Sequence, residues 1–318
     1  MIPPVVDVSR LLAEESSSRH PGGSVIDRAC REIGFFLITG HGIDPAASRA
    51  IDRAARELFH APETVRRTAA RLHPAEPRGY RGPGSIATAS SVGLDTPKDL
   101  VEIFTIGRVD DAQTLRTLSS LPFGERFYLR NIWPDLDGFR RVWESYYREM
   151  SVLAERLLVV LATMLGQDPR YFAAAHRNHA STLVANYYPP VVDRAENPAA
   201  TRRGEHTDFG TITILTTDGV TGLEVKTRSG QWLPVPSVED ALVVNVGDLL
   251  EMWTRGEYVS SYHRVVIEDP TTERVSLPFF HNPRSDAMVE PIGDVVTRTS
   301  AVCAGEWILR KIDAINAQ

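Results

Sequence analysis

The stretch that decides the fold is His206-Thr207-Asp208-Phe209-Gly210-Thr211-Ile212-Thr213-Ile214-Leu215. Its run of Ile and Thr is typical of a strand. Side chains at positions i and i+2 of a strand point to the same face, so we expect the imidazole of His206 and the carboxylate of Asp208 to reach one ion together. Taken alone, a His-x-Asp pair is common in proteins and often forms only a hydrogen-bonded surface pair. Its meaning depends on the sequence around it.

Short β-type runs surround this stretch. Turn residues separate them about every eight to twelve positions, a spacing that is typical of an antiparallel sandwich or jelly roll. The predicted strands are Thr182–Tyr188, His206–Thr216, Gly222–Lys226, Gln231–Val235, Ala241–Val246, Tyr262–Ile267 and Arg274–His281.

Helices are predicted on both sides of this β-rich region. Apolar residues recur with three-and-four spacing from Trp143 to Leu165, which predicts a long helix at about 139–165 against which a sheet packs. A second helix is predicted at Ala301–Ile315. The expected fold is therefore α+β, with a mixed α/β region at 1–180, a jelly-roll (cupin-like) core at 181–285 and a helical segment at 286–318. At roughly 150 residues per domain, 318 residues allow two domains or one, and we expect one compact unit.

Composition narrows the class of protein. The chain has 42% hydrophobic and 24% charged residues, which is typical of a globular protein and excludes disorder as its main state. A net charge of -6 argues against a protein held on nucleic acid by phosphate contacts. Cys30 and Cys303 lie far apart, so neither a disulfide scaffold nor a cysteine–zinc site is expected.

The location of the protein is predicted from the same features. Low cysteine usage favours the cytoplasm. The first residues lack the pattern of a signal peptide, and no run approaches the ~18 apolar residues of a membrane span. We therefore expect a cytoplasmic protein with no nucleic-acid or membrane partner. The sequence does not specify an oligomeric state.

A second histidine completes a candidate metal site. His263 opens the apolar run of Tyr262–Ile267, where a histidine is most often a satisfied core residue. Two histidines and one carboxylate from separate strands, however, form the facial triad that leaves coordination positions open on Fe(II). A structural zinc site would have four protein ligands, and a catalytic zinc site usually keeps one position open.

A pair of an arginine and a serine follows on the next predicted strand. Arg274 and Ser276 are separated by two positions, so their side chains are expected on one face. A guanidinium group pairs bidentately with a carboxylate, and the serine hydroxyl can add a hydrogen bond to the same group. Because a buried arginine is costly without an anion, the pair predicts a small dicarboxylate whose other end reaches the metal.

With these residues, the chain resembles the isopenicillin N synthase-like family of Fe(II)- and 2-oxoglutarate-dependent oxygenases. The resemblance covers nearly the whole chain. Its motifs are Ile33-Gly34-Phe35-Phe36, Gly40-His41-Gly42-Ile43, Asn131-Ile132-Trp133-Pro134, Asn186-Tyr187-Tyr188-Pro189, the His206/Asp208 pair, Asn245-Val246-Gly247-Asp248, His263-Arg264-Val265, Arg274-Val275-Ser276 and Pro278-Phe279-Phe280. The high content of Arg and Ala is typical of a bacterial member.

The resemblance implies a double-stranded β-helix that carries Fe(II) on His206, Asp208 and His263. It also implies that Arg274 and Ser276 hold the distal carboxylate of 2-oxoglutarate, with Asn186 and Tyr188 nearby. Dioxygen and 2-oxoglutarate would be cosubstrates, and decarboxylation to succinate would be coupled to hydroxylation, desaturation or cyclisation of a small molecule in secondary metabolism, such as antibiotic biosynthesis. Since Asp208 supplies a carboxylate, halogenation is disfavoured.

Other functions stay open at this point. An oxidase of isopenicillin N synthase type needs no 2-oxoglutarate, and the Arg274/Ser276 pair could serve a substrate carboxylate instead. An ethylene-forming type of enzyme would break 2-oxoglutarate itself. A jelly-roll protein that binds a metal without catalysis would be a sensor. Oxygen uptake with and without 2-oxoglutarate, gas analysis and metal content distinguish these alternatives.

Candidate substrate residues follow from position only. Phe280 shares a strand face with Arg274, and Phe209 adjoins Asp208. The Gly-, Ser- and Thr-rich segment 78–97 is expected to be either a disordered connector or a loop over a site, and its charged and aromatic side chains are unusual for a plain connector. The remaining candidates are Phe104, Tyr80, Arg78 and Arg81.

Overall fold

The computed structural model describes residues 2–13, 21–71, 76–191, 202–293 and 301–316. The strands are β1 (Val5–Asp7), β2 (Phe35–Thr39), β3 (Gly79–Arg81), β4 (Glu102–Ile106), β5 (Thr182–Tyr188), β6 (Arg203–His206), β7 (Ile212–Thr217), β8 (Leu223–Lys226), β9 (Trp232–Pro234), β10 (Leu242–Val246), β11 (His263–Val265), β12 (Arg274–His281), β13 (Met288–Val289) and β14 (Val302–Cys303).

The helices surround these strands. They are α1 (Ser9–Ala13), α2 (Pro21–Glu32), α3 (Pro45–His60), α4 (Glu63–Thr68), α5 (Ala112–Ser119), α6 (Gly124–Phe127), α7 (Phe139–Met164), α8 (Ala173–His176), α9 (Asp248–Trp253) and α10 (Ala304–Asn316), with a 3-10 helix at Thr88–Val92. No helix in the described ranges is long and apolar enough to cross a membrane.

Two sheets form the centre of the molecule, and their strands pair antiparallel except β1, which runs parallel to β2. The large sheet has eight strands in the order β1-β2-β10-β7-β12-β5-β4-β3, and the small sheet has four in the order β6-β11-β8-β9. One hydrophobic cluster contains Phe35, Val184 and Val243 of the large sheet together with Val225 and Val265 of the small sheet. The two sheets therefore face each other, as in a jelly roll.

The other face of the large sheet is covered by helices. Phe36 and Ile38 of β2 belong to the cluster that contains the long helix α7, whereas Phe35 and Leu37 face the small sheet. Because both faces of this strand are buried, its sequence is apolar at consecutive positions instead of alternating. α7 contributes a buried stripe that includes Trp143 to this layer, as its spacing predicts.

Most predicted elements are present. β5 and β12 have the predicted bounds, and α7 ends one residue before the predicted helix. The predicted strand His206–Thr216 is wrong in one respect, because it is two strands, β6 and β7, which lie in different sheets. Residues 207–211 form the corner between the sheets, so Asp208 lies in this corner and not on a strand.

Candidate metal centre and substrate cavity

Strand pairing brings the candidate metal ligands together. His206 is the last residue of β6, and its backbone register partner is His263, the first residue of β11. The side chain of Asp208 reaches the same point from the corner: Oδ1 lies 3.9 Å from Nε2 of His206 and 3.6 Å from Nε2 of His263. One ligand atom from each residue lies within 4.8 Å of the others. Within the described ranges, this is the one such cluster of His, Cys, Asp or Glu.

Hydrogen bonds fix both imidazole rings. Nδ1 of His206 lies 2.7 Å from the carbonyl oxygen of Gly204, and Nδ1 of His263 lies 3.1 Å from that of Ser261. A carbonyl accepts only from a protonated nitrogen, so in a neutral ring the lone pair is on Nε2, the atom that faces Asp208. Burial, together with the charges of His263 and Arg203, lowers the pKa of His206 well below its ordinary value. The ring is therefore neutral, as a metal ligand must be.

The carboxylate of Asp208 is held from the large sheet. Its Oδ2 accepts hydrogen bonds from Oγ1 of Thr213 at 2.6 Å and from Nδ2 of Asn245 at 2.8 Å. Oδ1 is thereby left to face the two histidines. Bonds of this kind orient a metal ligand and are part of the design of metal sites.

The corner that carries Asp208 packs tightly on the backbone after β10. The amide of Asp248 donates to the carbonyl oxygen of Asp208 at 2.8 Å. A Cβ atom at Gly247 would lie 2.3 Å from the carbonyl oxygen of Gly210. This position therefore requires glycine because the two backbones approach each other closely.

A second set of polar residues, on β5 and β12, lines the space beside the metal cluster. The register of β5 and β12 pairs Arg274 with Tyr188 and Ser276 with Asn186, so the predicted cosubstrate residues form two adjacent cross-strand pairs. Together with the metal cluster, all of them line one cavity of about 50 Å³ between the sheets.

The guanidinium group of Arg274 lies deep in this cavity and is only partly satisfied. The residue is 1% exposed, and the group lies 5.3 Å from the ring centre of Tyr188. Its Nε donates to the carbonyl oxygen of Val220 at 3.1 Å, whereas Nη1 is buried without a partner among the described residues. A buried guanidinium of this kind fits a carboxylate ligand.

A larger cavity of about 160 Å³ opens on the other side of the metal cluster. His206 and Asp208 form part of its wall, and four of the predicted substrate residues line it: Phe209, Phe280, Arg78 and Arg81. Phe280 lines both cavities, as do Arg203, His206 and Asp208.

Phe104 and Tyr80 lie elsewhere, which corrects the prediction for these two residues. Phe104 points to the helical layer, where its ring centre is 4.8 Å from that of Trp143. Its strand neighbours Ile103 and Thr105 face the cavity instead. Tyr80 likewise faces away from its neighbour Arg81 and donates to the carboxylate of Glu102.

The segment 78–97 is not a free loop either. Gly79–Arg81 forms the edge strand β3, which pairs with β4, and Thr88–Val92 forms the 3-10 helix. Arg78, Arg81, Ile86 and Thr88 nevertheless contribute to the cavity wall.

Sequence reasoning missed several wall residues. Arg203 precedes His206 by three positions and lines both cavities. The C-terminal helix α10 closes one side with Ile308, Ile312 and Asn316. The three-and-four spacing of its apolar residues was the available signal, but this spacing does not tell which surface a helix covers.

Comparison with known proteins identifies relatives over almost the whole chain. Residues 179–283 match the model of the 2OG-Fe(II) oxygenase superfamily, and residues 3–136 match the N-terminal model of the non-haem dioxygenases in morphine synthesis. Validamycin A dioxygenase of Streptomyces hygroscopicus subsp. limoneus is 32% identical over 97% of this chain and 85% of its own length. The 2-oxoglutarate-dependent dioxygenase citB of Monascus ruber is 35% identical over 92% of this chain and 88% of its own.

Solved structures also match almost the whole chain. A full-length Neurospora crassa protein in complex with alpha-KG and thymine superposes with a TM-score of 0.81 at 26% identity, over 98% of this chain and 96% of that one. JOX2 in complex with 2OG, Fe and JA gives a TM-score of 0.77 at 28% identity, over 97% and 84% of the two chains.

Proposed function

Because this chain belongs to the 2OG-Fe(II) oxygenase superfamily, we propose that His206, Asp208 and His263 hold its Fe(II) and that Arg274 and Ser276 bind the distal carboxylate of its 2-oxoglutarate. The chain is an Fe(II)- and 2-oxoglutarate-dependent oxygenase that couples decarboxylation of 2-oxoglutarate to succinate with oxidation of a small molecule. The observation that carries the site assignment is the buried His–Asp–His cluster with the partly satisfied guanidinium of Arg274, whose Nη1 has no partner among the described residues, in the same cavity.

The proposed metal ligands hold the group that would supply the oxidising chemistry. Bound iron and 2-oxoglutarate supply a dioxygen-derived oxidant that attacks an unactivated carbon. The protein would hold the metal through Nε2 of His206, Nε2 of His263 and Oδ1 of Asp208, and a set of three protein ligands would leave coordination positions for the cosubstrates. Since the carboxylate of Asp208 takes up one coordination position, we favour hydroxylation, desaturation or cyclisation over halogenation.

The cosubstrate is held by two cross-strand pairs in this proposal. Arg274 and Ser276 take its distal carboxylate, while Asn186 and Tyr188 lie opposite them on β5. The fixed guanidinium sets the distance between the distal carboxylate and the metal position, so the keto acid end is directed to the iron.

The substrate is placed in the larger cavity, beside His206 and Asp208. Phe209 and Phe280 contribute apolar wall to this cavity, and α10 contributes Ile308, Ile312 and Asn316. The protein thereby orients one carbon toward the metal position and limits access of water.

We further propose that the chain is a bacterial member of the isopenicillin N synthase-like branch and acts in secondary metabolism. The two family models that match its halves and the similarity to Validamycin A dioxygenase of a Streptomyces support this. A cytoplasmic location is supported by the two free thiols, Cys30 and Cys303.

We also propose that regions 1–180, 181–285 and 286–318 form one catalytic unit. Support comes from β2, which pairs with β10 of the core, and from α10, which lines the substrate cavity.

Succinate formation tests the proposed function. Purified protein with Fe(II), 2-oxoglutarate and dioxygen should form succinate, slowly without substrate, and Asp208→Ala should reduce the rate to background because iron is lost. Arg274→Gln should raise the 2-oxoglutarate concentration needed for half-maximal rate at least tenfold, since a bidentate charged contact is removed. Retained succinate formation in Asp208→Ala contradicts the ligand assignment.

A further inference from the structure

The substrate cavity has an excess of positive charge. In the described part of the chain its wall contains the arginines Arg78, Arg81, Arg126 and Arg203, but no acidic side chain other than the proposed metal ligand Asp208. Most of the remaining wall is apolar. A charged group in such surroundings is stable only when it is paired or hydrogen-bonded. The hydrogen-bond and ion-pair partners of each arginine therefore indicate which of the four could bind an anionic ligand in the cavity.

Two of the four arginines hold parts of the fold together, although only Arg126 is paired with a carboxylate. Arg78 is 1% exposed, donates to the carbonyl oxygen of Phe127 and lies against Gly107, while its Nε is buried without a partner among the described residues. Arg126 forms an ion pair with Asp313 of α10 at 2.8 Å. These two side chains hold helices to the core.

Arg81 and Arg203 have only neutral partners. Nη1 of Arg81 donates to Oδ1 of Asn316 at 3.0 Å, and Nη2 donates to the carbonyl oxygen of Glu76 at 3.1 Å. The Nε of Arg81 is buried without a partner among the described residues. Nη1 of Arg203 donates to Oδ1 of Asn186 at 3.1 Å. Neither guanidinium is within 4 Å of a carboxylate in the described ranges, so both charges are uncompensated.

The two groups also repel each other. Burial is the largest cause that lowers the pKa of Arg81 to about 10, and the positive charges of Arg71, Arg203 and Arg78 add to it. The carboxylate of Glu76 opposes this shift with the smallest contribution and is not part of the cavity wall. An anion in contact with Arg81 and Arg203 would remove this repulsion.

We propose that Arg81 and Arg203 bind a carboxylate of the substrate, so that this enzyme oxidises a small organic acid whose apolar body lies against Ile86, Ile103 and Phe280. The inference rests on the proposed function, because it places the substrate beside the metal centre. Guanidinium groups match the planar carboxylate with two parallel hydrogen bonds. Arg203 lines the same two cavities as His206 and Asp208, so an acid bound there lies in the space beside the metal ligands.

Matched probe pairs test this inference by calorimetry. The titrated protein is the complex with Fe(II) and saturating 2-oxoglutarate, without dioxygen, so that Arg274 is occupied and no reaction occurs. The probes are 3-phenylpropionate against 3-phenylpropionamide and octanoate against octanamide. We expect the acids to bind at least tenfold more tightly than the amides, because only the acids compensate the two guanidinium groups.

Variants assign the preference to residues. Arg203→Met and Arg81→Met should each reduce the acid-to-amide ratio several-fold, and Arg203→Lys should keep part of it because the charge remains. The exposed Arg67 offers a matched control, and Arg67→Met should leave the ratio unchanged.

Three results contradict the inference. The first is equal affinity of acids and amides, or no measurable acid binding, in the unaltered enzyme. The second is a preference that survives both methionine variants. The third is weaker 2-oxoglutarate binding in Arg203→Met with an intact preference, which would assign Arg203 to the cosubstrate. Succinate formation by the unaltered enzyme is measured separately, so its absence contradicts the proposed function and its presence with equal probe binding contradicts this inference alone.

Discussion

At the scale of single residues, the site depends on hydrogen bonds that orient the candidate ligands. The sequence predicts His206, Asp208 and His263 from residue type and family resemblance, and the structure brings them together. It does not predict that Thr213 and Asn245 hold Asp208, since these contacts join β7 and β10 to the corner through tertiary packing. Arg203 was missed for a similar reason, because its position three residues before His206 has meaning only when the cavity is known.

Removal of the Thr213 hydroxyl tests the orientation of Asp208. Thr213→Val removes the 2.6 Å hydrogen bond to Oδ2, and we expect the affinity for Fe(II) to fall by about tenfold to a hundredfold, as for other bonds that orient metal ligands. Anaerobic titration with Fe(II) measures this change. Thr213→Ser keeps the hydroxyl and should bind the metal nearly as well as the unaltered protein. Equal affinity in Thr213→Val would show that Asn245 alone is sufficient.

At the scale of elements, sequence periodicity predicts which segments are helices or strands better than it predicts where one strand ends and the next begins. The run His206–Thr216 is rich in apolar and β-branched residues, which favours one continuous strand, although Asp208 and Gly210 are turn residues and lie in the corner at residues 207–211. The break results from packing: the corner crosses from the small sheet to the large one, and the backbone at Gly247 closes against Gly210. Phe104, a predicted substrate residue, does not line the larger cavity, because strand residues alternate and only its neighbours Ile103 and Thr105 face that space.

The packing of α7 on the large sheet gives a prediction about stability. Phe104 is 0% exposed and contacts Trp143 edge-on, so Phe104→Ala should lower the free energy of unfolding by about 3–5 kcal/mol, as for other large core truncations. Chemical denaturation measures this value. Val152 lies on the same helix but is 57% exposed, and Val152→Ala should have little effect. A change of less than about 1 kcal/mol for Phe104→Ala would contradict its assignment to the core.

At the scale of the whole molecule, buried histidines couple the fold to pH. His176 and His281 stack with ring centres 4.8 Å apart, and His179 lies 5.0 Å from His281. Burial lowers the pKa of His176 to about 4, and burial together with the charges of Arg108 and His176 lowers the pKa of His179 to about 3. The unfolded chain therefore takes up protons below its ordinary histidine pKa of about 6.5, while the folded chain does not.

The buried neutral histidines should accordingly contribute fully to the free energy of unfolding above about pH 6.5, and this contribution should decrease as the pH falls toward 4. His179→Leu removes one of these groups, and Nδ1 of His179 has no hydrogen-bond partner in the described ranges. Between about pH 7 and pH 5, this variant should lose about 2 kcal/mol less unfolding free energy than the unaltered protein. Denaturation of the metal-free protein at each pH measures the difference. Parallel losses in the two proteins would contradict the assigned direction.

At this scale, the sequence pattern does not predict that separate regions of the chain line one cavity. The sequence places a core at 181–285, yet the substrate cavity takes residues from β3, β4 and α10 outside it. Contacts between positions as distant as Arg81 and Asn316 have no local signature in the sequence.

A crystal structure of the protein with Fe(II) and 2-oxoglutarate, grown without dioxygen, would locate both groups. We expect iron on Nε2 of His206, Nε2 of His263 and Oδ1 of Asp208, with the distal carboxylate of 2-oxoglutarate on Arg274 and Ser276. Iron bound by other side chains, or 2-oxoglutarate with its distal carboxylate on Arg203 instead of Arg274, would contradict this assignment.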